Sequence, residues 1–254
     1  MAEPAPPCTR IEQRPQPRAA RFQPHAPSSP VPGPAWSRAS SRHRSLTLAA
    51  VRVLDLLIAS VALLVSLPIL LLAGLLIRLE TPGPAIFRQR RLGRDRRPFT
   101  VHKLRTMCLQ ADPGVHRRYI DELINGAETA HSDGNGELYK LAADERVTRV
   151  GRFLRRTSLD ELPQLFDVLR GDMSIVGPRP VIPYEADLYP DHYNRRFAVK
   201  PGLTGLWQVS GRSERTYREM VALDISWVER HSVASYISIV ARTPWVLIRS
   251  RGAA

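Results

Sequence analysis

Two adjacent carboxylates, Asp160 and Glu161, lie among arginines in the stretch from Arg155 to Leu165, which reads Arg-Arg-Thr-Ser-Leu-Asp-Glu-Leu-Pro-Gln-Leu. A second basic element, Gly177-Pro178-Arg179-Pro180, follows closely. Guanidinium groups bind phosphate through paired, charge-assisted hydrogen bonds. A carboxylate beside them can act as a nucleophile or as a magnesium ligand. These residue types therefore indicate chemistry on a phosphorylated substrate.

The same stretch also has a purely structural interpretation. Ser158 and Glu161 have the spacing of a capping box at a helix N-terminus, and Asp160 would favour that end through the helix dipole. Pro163 fits a first helical turn and moves the expected start toward Asp160. An apolar stripe and a C-terminal glycine then predict the helix itself: Leu162, Leu165, Phe166, Leu169 and Gly171. On these residues alone, capping and catalysis are equally good explanations of the carboxylates.

The chain of 254 residues carries a formal net charge of +13, which favours an acidic partner. Nucleic acid, an anionic membrane surface and a phosphorylated substrate all qualify. Nucleic acid is the weakest of the three, because the basic residues are not interleaved with stacking aromatics. An Arg-favouring codon usage explains the total charge equally well, so the local clusters carry the argument.

Residues 1–45 are rich in Pro, Ser, Ala and Arg and contain little apolar material. Such a segment cannot bury enough surface to offset its ordering entropy, so we expect a disordered basic tail. Its arginines would be drawn to anionic lipid near a membrane. A solvated tail without a role is the alternative. The arginines are residues 10, 14, 18, 21, 38, 42 and 44.

Residues 46–78 are expected to form a helix inserted in the membrane. The run from Leu56 to Ile77 contains 22 residues without a charge, which is enough to cross a bilayer. Pro68, near its middle, removes a helix hydrogen bond and favours a bend, and the Ser66 hydroxyl can satisfy a freed carbonyl. Arginines on both sides would hold both ends in the cytoplasm. A re-entrant helix broken at Pro68 meets these demands, and a simple span stays open.

Residues 79–254 are expected to form a cytosolic, membrane-associated catalytic domain that starts with a β-hairpin. Residues 85–89 and 99–104 read as its strands around a turn at residues 93–95. Lys103 and Arg105 alternate along the second strand, so they would share one face and could contact phosphates. The neighbouring arginines are expected to form a solvated basic face: Arg90, Arg91, Arg96 and Arg97.

The stretch from Lys200 to Arg212 is a glycine-punctuated loop with a cation at each end. It could surround a nucleotide, and we expect Gln208 and Arg212 to bind substrate. Trp207 suits either base stacking or core packing.

Two helices are expected after this loop, over residues 217–230 and 233–249. The second helix mixes apolar and aromatic residues with arginine, which is typical of a membrane interface. A buried core helix is the alternative. The predicted fold class is therefore α+β and helix-dominated, with a small β-hairpin and amphipathic interfacial helices around the active site.

Four motifs in this order resemble the bacterial sugar transferases, the monotopic polyprenyl-phosphate phosphoglycosyl transferases. They are residues 103–107, 155–165, 171–180 and 200–212, and the resemblance runs from about Leu48 to Arg249. It implies transfer of a sugar-1-phosphate from a nucleotide diphosphate sugar, most simply a UDP-sugar, to polyprenyl (undecaprenyl) phosphate. Nucleoside monophosphate would be released in this first membrane step of exopolysaccharide or glycoconjugate synthesis.

The resemblance also implies roles for particular residues. Asp160 would attack the β-phosphorus and carry a covalent phosphosugar, while Glu161 would assist with Mg²⁺ or with protons. Arg155 and Arg179 would hold phosphates. Asp224 matches an acidic position near the site, so Asp160, Glu161 and Asp224 are the expected magnesium ligands.

The resemblance favours the re-entrant helix and places the protein on the cytoplasmic face of the cell membrane, in contact with lipids. Some members of this family have Ser directly before the proline, whereas here Leu67 separates Ser66 from Pro68. Hydroxyl rescue at the bend is therefore in question. Homo-oligomer formation stays open, and no residue identifies the sugar.

A non-enzymatic, basic membrane-anchored adaptor that binds anionic lipids is the competing function. Its binding would fall with salt and would not depend on Asp160 or Glu161.

Overall fold

A computed structural model describes residues 41–108, 146–211 and 215–249. Of the tail that was expected to be disordered over residues 1–45, residues 1–40 lie outside the described residues, as does Arg212. Residues 41–45 belong to the first helix, so disorder was the wrong expectation for them. The helices are α1 (Ser41–Glu80), α2 (Arg149–Thr157), α3 (Gln164–Arg170), α4 (Pro183–Ala186), α5 (Tyr217–Glu229) and α6 (Val233–Arg249). The strands are β1 (Ile86–Leu92), β2 (Pro98–Leu104), β3 (Ser174–Val176) and β4 (Gly202–Thr204), and short 3₁₀ turns cover Arg94–Arg96, Leu159–Glu161 and Asp191–Ala198. This architecture confirms a helix-dominated fold with small sheets and one long apolar N-terminal helix.

The N-terminal part of α1 is fixed to the domain by two charged side chains. The Arg52 guanidinium donates to the carbonyl oxygens of Val168 and Leu169, at 2.7 and 2.9 Å, and so caps the C-terminal end of α3. Asp55 is buried and accepts hydrogen bonds from three groups of β3 and α6: the Ser174 hydroxyl, the Ile175 amide and the Tyr236 hydroxyl. Asp55 therefore joins α1 to β3 and α6.

The C-terminal end of α1 is held by the same domain. Glu80 accepts the main-chain amides of Arg149 and Val150, at 2.7 and 3.0 Å, and these amides open α2. A carboxylate at a helix N-terminus is favoured by the unsatisfied amides and the helix dipole. Ile77 is buried against Leu104. Both ends of α1 are therefore anchored on one domain.

Within the described ranges, most of the surface of the middle of α1 is exposed. Leu64 and Val65 are 73% and 71% exposed. The helix continues through Pro68 without an interruption of its helical assignment, so the expected break is not confirmed. The Ser66 hydroxyl donates to the Leu63 carbonyl at 3.3 Å. Pro68 has no amide hydrogen, so the Leu64 carbonyl loses its usual helix hydrogen bond. The Ser66 hydroxyl bonds to the Leu63 carbonyl and not to that of Leu64.

β1 and β2 form the expected antiparallel hairpin, paired from Ile86↔Leu104 to Leu92↔Pro98. The chain reverses at Asp95 and Arg96, which both have a left-handed φ of 57°. Arg91 and Arg96 are buried, at 8% exposure each, so these two do not belong to a solvated basic face.

The connection from α2 to α3 carries the carboxylate pair. Thr148 caps α2 by accepting the Gly151 amide at 2.9 Å. Ser158 ends the helix in the left-handed region, with φ 56°, and its side chain makes no capping bond to the turn that follows. The expected capping box with Glu161 is therefore absent. α3 begins after Pro163.

β3 and β4 form a second, parallel pair. A methyl group added at Gly177 would lie 2.6 Å from the Lys200 carbonyl oxygen, so the two loops approach too closely for a side chain. The main core joins α1, β2, α3, β3, α5 and α6. Its buried members include Val51, Ala59, Val101, Leu165, Val168, Ile175, Trp227, Tyr236 and Ile239.

The two C-terminal helices match their predicted ranges. α5 opens with a capping box in which Thr216 and Glu219 exchange hydrogen bonds. Trp207 is buried against Tyr217 and Met220, so it packs in a core cluster. α6 buries Tyr236 and leaves apolar side chains exposed on its other side: Ile237, Trp245 and Ile248.

Candidate active site

Asp160 and Glu161 occupy the 3₁₀ turn between α2 and α3, where the left-handed Ser158 redirects the chain. The Glu161 carboxylate lies 2.7 Å from the Lys103 ammonium of β2. Both side chains keep solvent access, at 39% and 27% exposure. The pair ties the carboxylate turn to the hairpin and leaves it open to a ligand.

Arg155 reaches the same place from the last turn of α2. Its Nε donates to the Thr106 hydroxyl at 2.9 Å. α2 approaches this segment closely, because a methyl group added at Gly151 would lie 2.1 Å from the Thr106 carbonyl oxygen. The structure therefore brings Arg155 to the segment that follows Lys103, and Lys103 to the carboxylate turn.

A buried pair beneath the site holds α3 against β2. Asp167 accepts the His102 amide at 3.0 Å, and its second oxygen lies 2.6 Å from the His102 Nδ1. Burial raises the pKa of Asp167, although its hydrogen bonds with His102 oppose the shift. The sequence analysis missed this pair. Its one signal is a carboxylate inside the apolar stripe of α3.

Arg91 is a second residue near the site whose buried position was not predicted from the sequence. Its guanidinium donates to the Gln89 side chain and, at 2.8 Å, to the Pro180 carbonyl. Burial and the charge of Arg179 lower the pKa of Arg91 to about 10, while nearby acidic groups, Glu185 first among them, oppose the shift. Through its bond to Pro180, Arg91 joins the hairpin to the segment that follows Arg179.

Asp224 and Arg196 support the main chain of Arg179. Asp224 accepts the Arg179 amide at 3.4 Å and the Arg196 guanidinium at 2.6 Å. Arg196 also donates to the Arg179 carbonyl at 3.5 Å. Burial raises the pKa of Asp224 to about 6, against the opposing charge of Arg196. The pair is a support for the Arg179 loop.

Glu185 completes this charged cluster. It is almost fully buried and accepts hydrogen bonds from the Tyr189 and Tyr217 hydroxyls, at 2.9 and 2.8 Å. Burial acts to raise the pKa of Glu185, but the surrounding arginines outweigh it and leave the pKa below its ordinary value. Arg179 contributes most among them, followed by Arg196 and Arg91.

Arg105 lies away from the carboxylate turn. Its guanidinium is buried and donates to the carbonyl oxygens of Pro82 and Thr81, at 2.6 and 2.8 Å, with a longer contact of 3.5 Å to Ile77. Burial lowers the pKa of Arg105. These bonds cap the C-terminal end of α1, so the structure places Arg105 in a structural position and not on a phosphate-facing surface.

Gln208 and Lys200 of the glycine-punctuated loop lie in different surroundings. Gln208 is half-buried, and its side-chain oxygen would lie 2.6 Å from a methyl group added at Gly205. Lys200 lies near the end of α3, beside Gly171. Substrate binding by Gln208 stays a prediction.

The expected magnesium ligands fit only in part. Across the described ranges 41–108, 146–211 and 215–249, no group of three or more His, Cys, Asp or Glu side chains has the arrangement of a metal site. Mg²⁺ is commonly held by one or two carboxylates together with substrate phosphates and water. Asp160 and Glu161 suit that arrangement. Asp224 does not, because it is fully buried and bound to Arg196.

The site is a carboxylate turn with arginines near it, and its domain contacts both ends of a long apolar helix. These two features together define the class of protein. It is a domain suited to phosphorylated ligands at a membrane surface. The chain belongs to the bacterial sugar transferase family, whose family model matches residues 46–250.

Individual relatives show the same similarity. The undecaprenyl-phosphate galactose phosphotransferase of Salmonella typhimurium is 42% identical over 67% of this chain and 35% of its own length. The UDP-glucose:undecaprenyl-phosphate glucose-1-phosphate transferase of Caulobacter vibrioides is 42% identical over 76% of this chain and 67% of its own length. The exopolysaccharide production protein ExoY of Rhizobium meliloti is 39% identical over 79% of this chain and 86% of its own length. The chain spans only 35% to 41% of the length of several of these curated relatives, the Salmonella protein among them.

Proposed function

We propose that this protein transfers a sugar-1-phosphate from a nucleotide diphosphate sugar to polyprenyl phosphate and releases nucleoside monophosphate. The observation that carries the proposal is the carboxylate turn itself. Glu161 is held by Lys103, and Arg155 comes to the same place from α2. A carboxylate nucleophile thus lies beside cations that can bind the phosphates of a donor.

The names of the relatives support the choice of substrates. The Salmonella and Caulobacter proteins are both named for undecaprenyl phosphate, and the Caulobacter protein is also named for UDP-glucose. The Rhizobium protein is named for exopolysaccharide production. We therefore assign this chain the same acceptor and a UDP-sugar donor, in the first membrane step of exopolysaccharide or glycoconjugate synthesis.

We propose a two-step reaction at Asp160. In the first step a carboxylate oxygen of Asp160 bonds to the β-phosphorus, and the bond from that phosphorus to the oxygen bridging the α-phosphate breaks, releasing nucleoside monophosphate. In the second step an oxygen of polyprenyl phosphate attacks the same phosphorus, forms the diphosphate linkage and frees Asp160. This ping-pong route lets a soluble donor and a membrane-bound acceptor use one site in turn.

The side chains around Asp160 stabilise charge on the transferred phosphate. Lys103 orients Glu161, and Arg155 and Arg179 supply fixed positive charge, which lowers the barrier most where water is excluded. Asp160 and Glu161 would hold Mg²⁺ together with the donor diphosphate. When bound, the ion would supply further positive charge to the phosphate oxygens.

We propose that α1 enters and leaves the membrane on the cytoplasmic side. Over Leu46–Glu80 the helix is long and apolar enough to cross a bilayer, and only 17% of its most apolar window is buried, which argues against a core helix of a soluble domain. A straight span would separate its two ends by a hydrocarbon layer of about 30 Å. Both ends contact one domain instead, through Arg52 and Glu80. Pro68 is the proposed bend.

The central test is turnover by the Asp160→Asn variant. With purified protein in lipid nanodiscs, polyprenyl phosphate and a panel of UDP-sugars, the native chain should release UMP with at least one donor. Asp160→Asn should lose turnover and stay in the membrane fraction. Full activity of this variant would refute the nucleophile assignment. Salt-sensitive lipid binding without any UMP release would favour the adaptor.

Topology is tested separately by cysteine labelling. Ser40→Cys and Arg90→Cys, each in a background with Cys8→Ser and Cys108→Ser, flank α1 on the two sides. A membrane-impermeant maleimide should label both positions only from the cytoplasmic side of vesicles. Labelling from opposite sides would show a simple span.

A further inference from the structure

An open cavity of about 560 Å³ lies between the hairpin turn and the end of α3. Its lining includes Arg94, Arg97, Phe99, Asp172 and Lys200. The cavity is at the turn end of β2, whereas Lys103 is near the other end of that strand. Lys103 is five positions after Pro98, which corresponds to about 17 Å along a strand. We call this space the turn cavity; it is separate from the carboxylate turn.

The carboxylates near the turn cavity already have basic neighbours. Asp95 lies 3.4 Å from Arg94, and Asp172 lies 3.6 Å from Arg170. Two cations that line the cavity have no such neighbour.

Within the part of the chain that the structure describes, neither Arg97 nor Lys200 forms a hydrogen bond or an ion pair through its side chain. Lys200 is half-buried, and this burial, followed by the charge of Arg52, lowers its pKa, although the charges of Asp55 and Asp172 oppose the shift. A cation taken out of water beside another cation is stabilised when an anion binds. The lining of the turn cavity thus carries three cations, Arg94, Arg97 and Lys200, against the two carboxylates of Asp95 and Asp172, so one positive charge is left in excess.

The turn cavity adjoins the helix that enters the membrane. A methyl group added at Gly171 would lie 3.5 Å from both the Arg52 guanidinium and the Lys200 ammonium, so these two cations flank one point. Arg52 precedes the uncharged run that starts at Leu56. With α1 inserted as proposed, the cavity would lie where α1 leaves the apolar layer, at the depth of lipid headgroups.

We propose that the turn cavity binds the phosphate of an anionic phospholipid headgroup through Lys200 and Arg97, with Arg52 beside them. This site is distinct from the proposed acceptor site at Asp160, and its lipid source rests on the proposed insertion of α1. The volume exceeds what one phosphate needs and leaves room for a headgroup alcohol. Phe99 and Pro98 supply apolar lining for the glycerol part.

The test compares soluble probes with the purified full chain in a non-ionic detergent. Binding of dihexanoylphosphatidylglycerol, dihexanoylphosphatidylcholine and inorganic phosphate is measured by microscale thermophoresis. Phosphatidylglycerol should bind most tightly. Each substitution, Lys200→Gln or Arg97→Gln, should weaken its binding about fivefold, as expected for the loss of one cation at a membrane surface. Lys200→Arg should restore binding to within about twofold, because it keeps the charge.

Arg90→Gln is the matched control, since it removes one exposed cation from the same hairpin outside the cavity. Its affinity for phosphatidylglycerol should equal that of the native chain. Equal affinities in the control, Lys200→Gln and Arg97→Gln would overturn the site. Equally tight binding of inorganic phosphate, with the same dependence on Lys200, would overturn the lipid source. Asp160→Asn should bind phosphatidylglycerol normally, so failure of the proposed catalysis is separable from failure of this site.

Discussion

Replacing Arg105 by methionine tests whether this cation holds the end of α1 or binds substrate. The substitution removes the guanidinium and keeps most of the side-chain volume. In the structure the group makes two short hydrogen bonds, to Pro82 and Thr81, and one long contact to Ile77. Arg105 is only 4% exposed, so water cannot replace these bonds without a rearrangement.

The expected loss of stability follows from this geometry. A hydrogen bond to a charged group contributes about 1.5–3 kcal/mol, and a cation at a helix C-terminus adds about 0.3–1 kcal/mol. Two good bonds, with some relief from removing a buried charge, give a net loss of about 3 kcal/mol in the free energy of unfolding. For a domain of this size, each kcal/mol lowers the midpoint by about 2–4 °C, so Arg105→Met should unfold about 6–12 °C lower.

Lys103→Met is the matched control, because it removes a cation two residues away. The Lys103–Glu161 pair is partly exposed, and such pairs contribute at most about 1 kcal/mol. Lys103→Met should therefore keep its unfolding midpoint within about 4 °C and lose most of its UMP release.

Thermal unfolding in nanodiscs and UMP release at varied donor concentration separate the two roles. Arg105→Met should be less stable, and below its unfolding midpoint it should show a donor KM close to that of the native chain. An unchanged midpoint with a tenfold higher donor KM would refute the structural role and restore phosphate binding.

Three further predictions follow from buried contacts. Gly151→Ala should lose about 1–3 kcal/mol of stability and most UMP release, because its methyl group would lie 2.1 Å from the Thr106 carbonyl oxygen. The control is Gly74→Ala, whose methyl group would lie 3.8 Å from its nearest neighbour, and it should leave stability and UMP release unchanged. Asp224→Asn should lose about 3–5 kcal/mol, measured by chemical unfolding, because it leaves a buried guanidinium without its counter-charge; a loss below about 1 kcal/mol would contradict this. The pKa of Glu185 is lowered from 4.5, so its contribution to stability is complete above that value and is lost as the pH falls through the folded-state pKa. The difference in midpoint between the native chain and Glu185→Gln should therefore shrink below about pH 4, and a difference that grows there would reverse the sign of the shift.

Local patterns predicted most of the elements correctly. The apolar run of α1, the alternation in the hairpin and the periodicity of α3 with Gly171 at its end are short-range signals, and each describes how one segment meets water or core. For the same reason the adjacent carboxylates and the family motifs could be found by inspection.

The same local patterns misjudged individual cations. Arg91 and Arg96 belong to a charged turn, yet the tertiary fold buries both beneath the segment that follows Arg179. The sequence pattern places Arg105 and Lys103 on one face of a strand. In the structure the Arg105 guanidinium instead donates hydrogen bonds to carbonyl oxygens at the end of α1. The partners Pro180, Asn194 and Pro82 are 89, 98 and 23 positions away from these arginines, so no local pattern contains them.

By itself, the sequence determined that a long apolar helix, a hairpin and a carboxylate pair among arginines exist, because propensity, periodicity and side-chain chemistry act over a few residues. Only the tertiary structure decided which charges work together. It coupled Lys103 to Glu161 across 58 positions and Arg196 to Asp224 across 28. Burial then set the cost of leaving any of these groups without a partner, and burial depends on how distant segments pack.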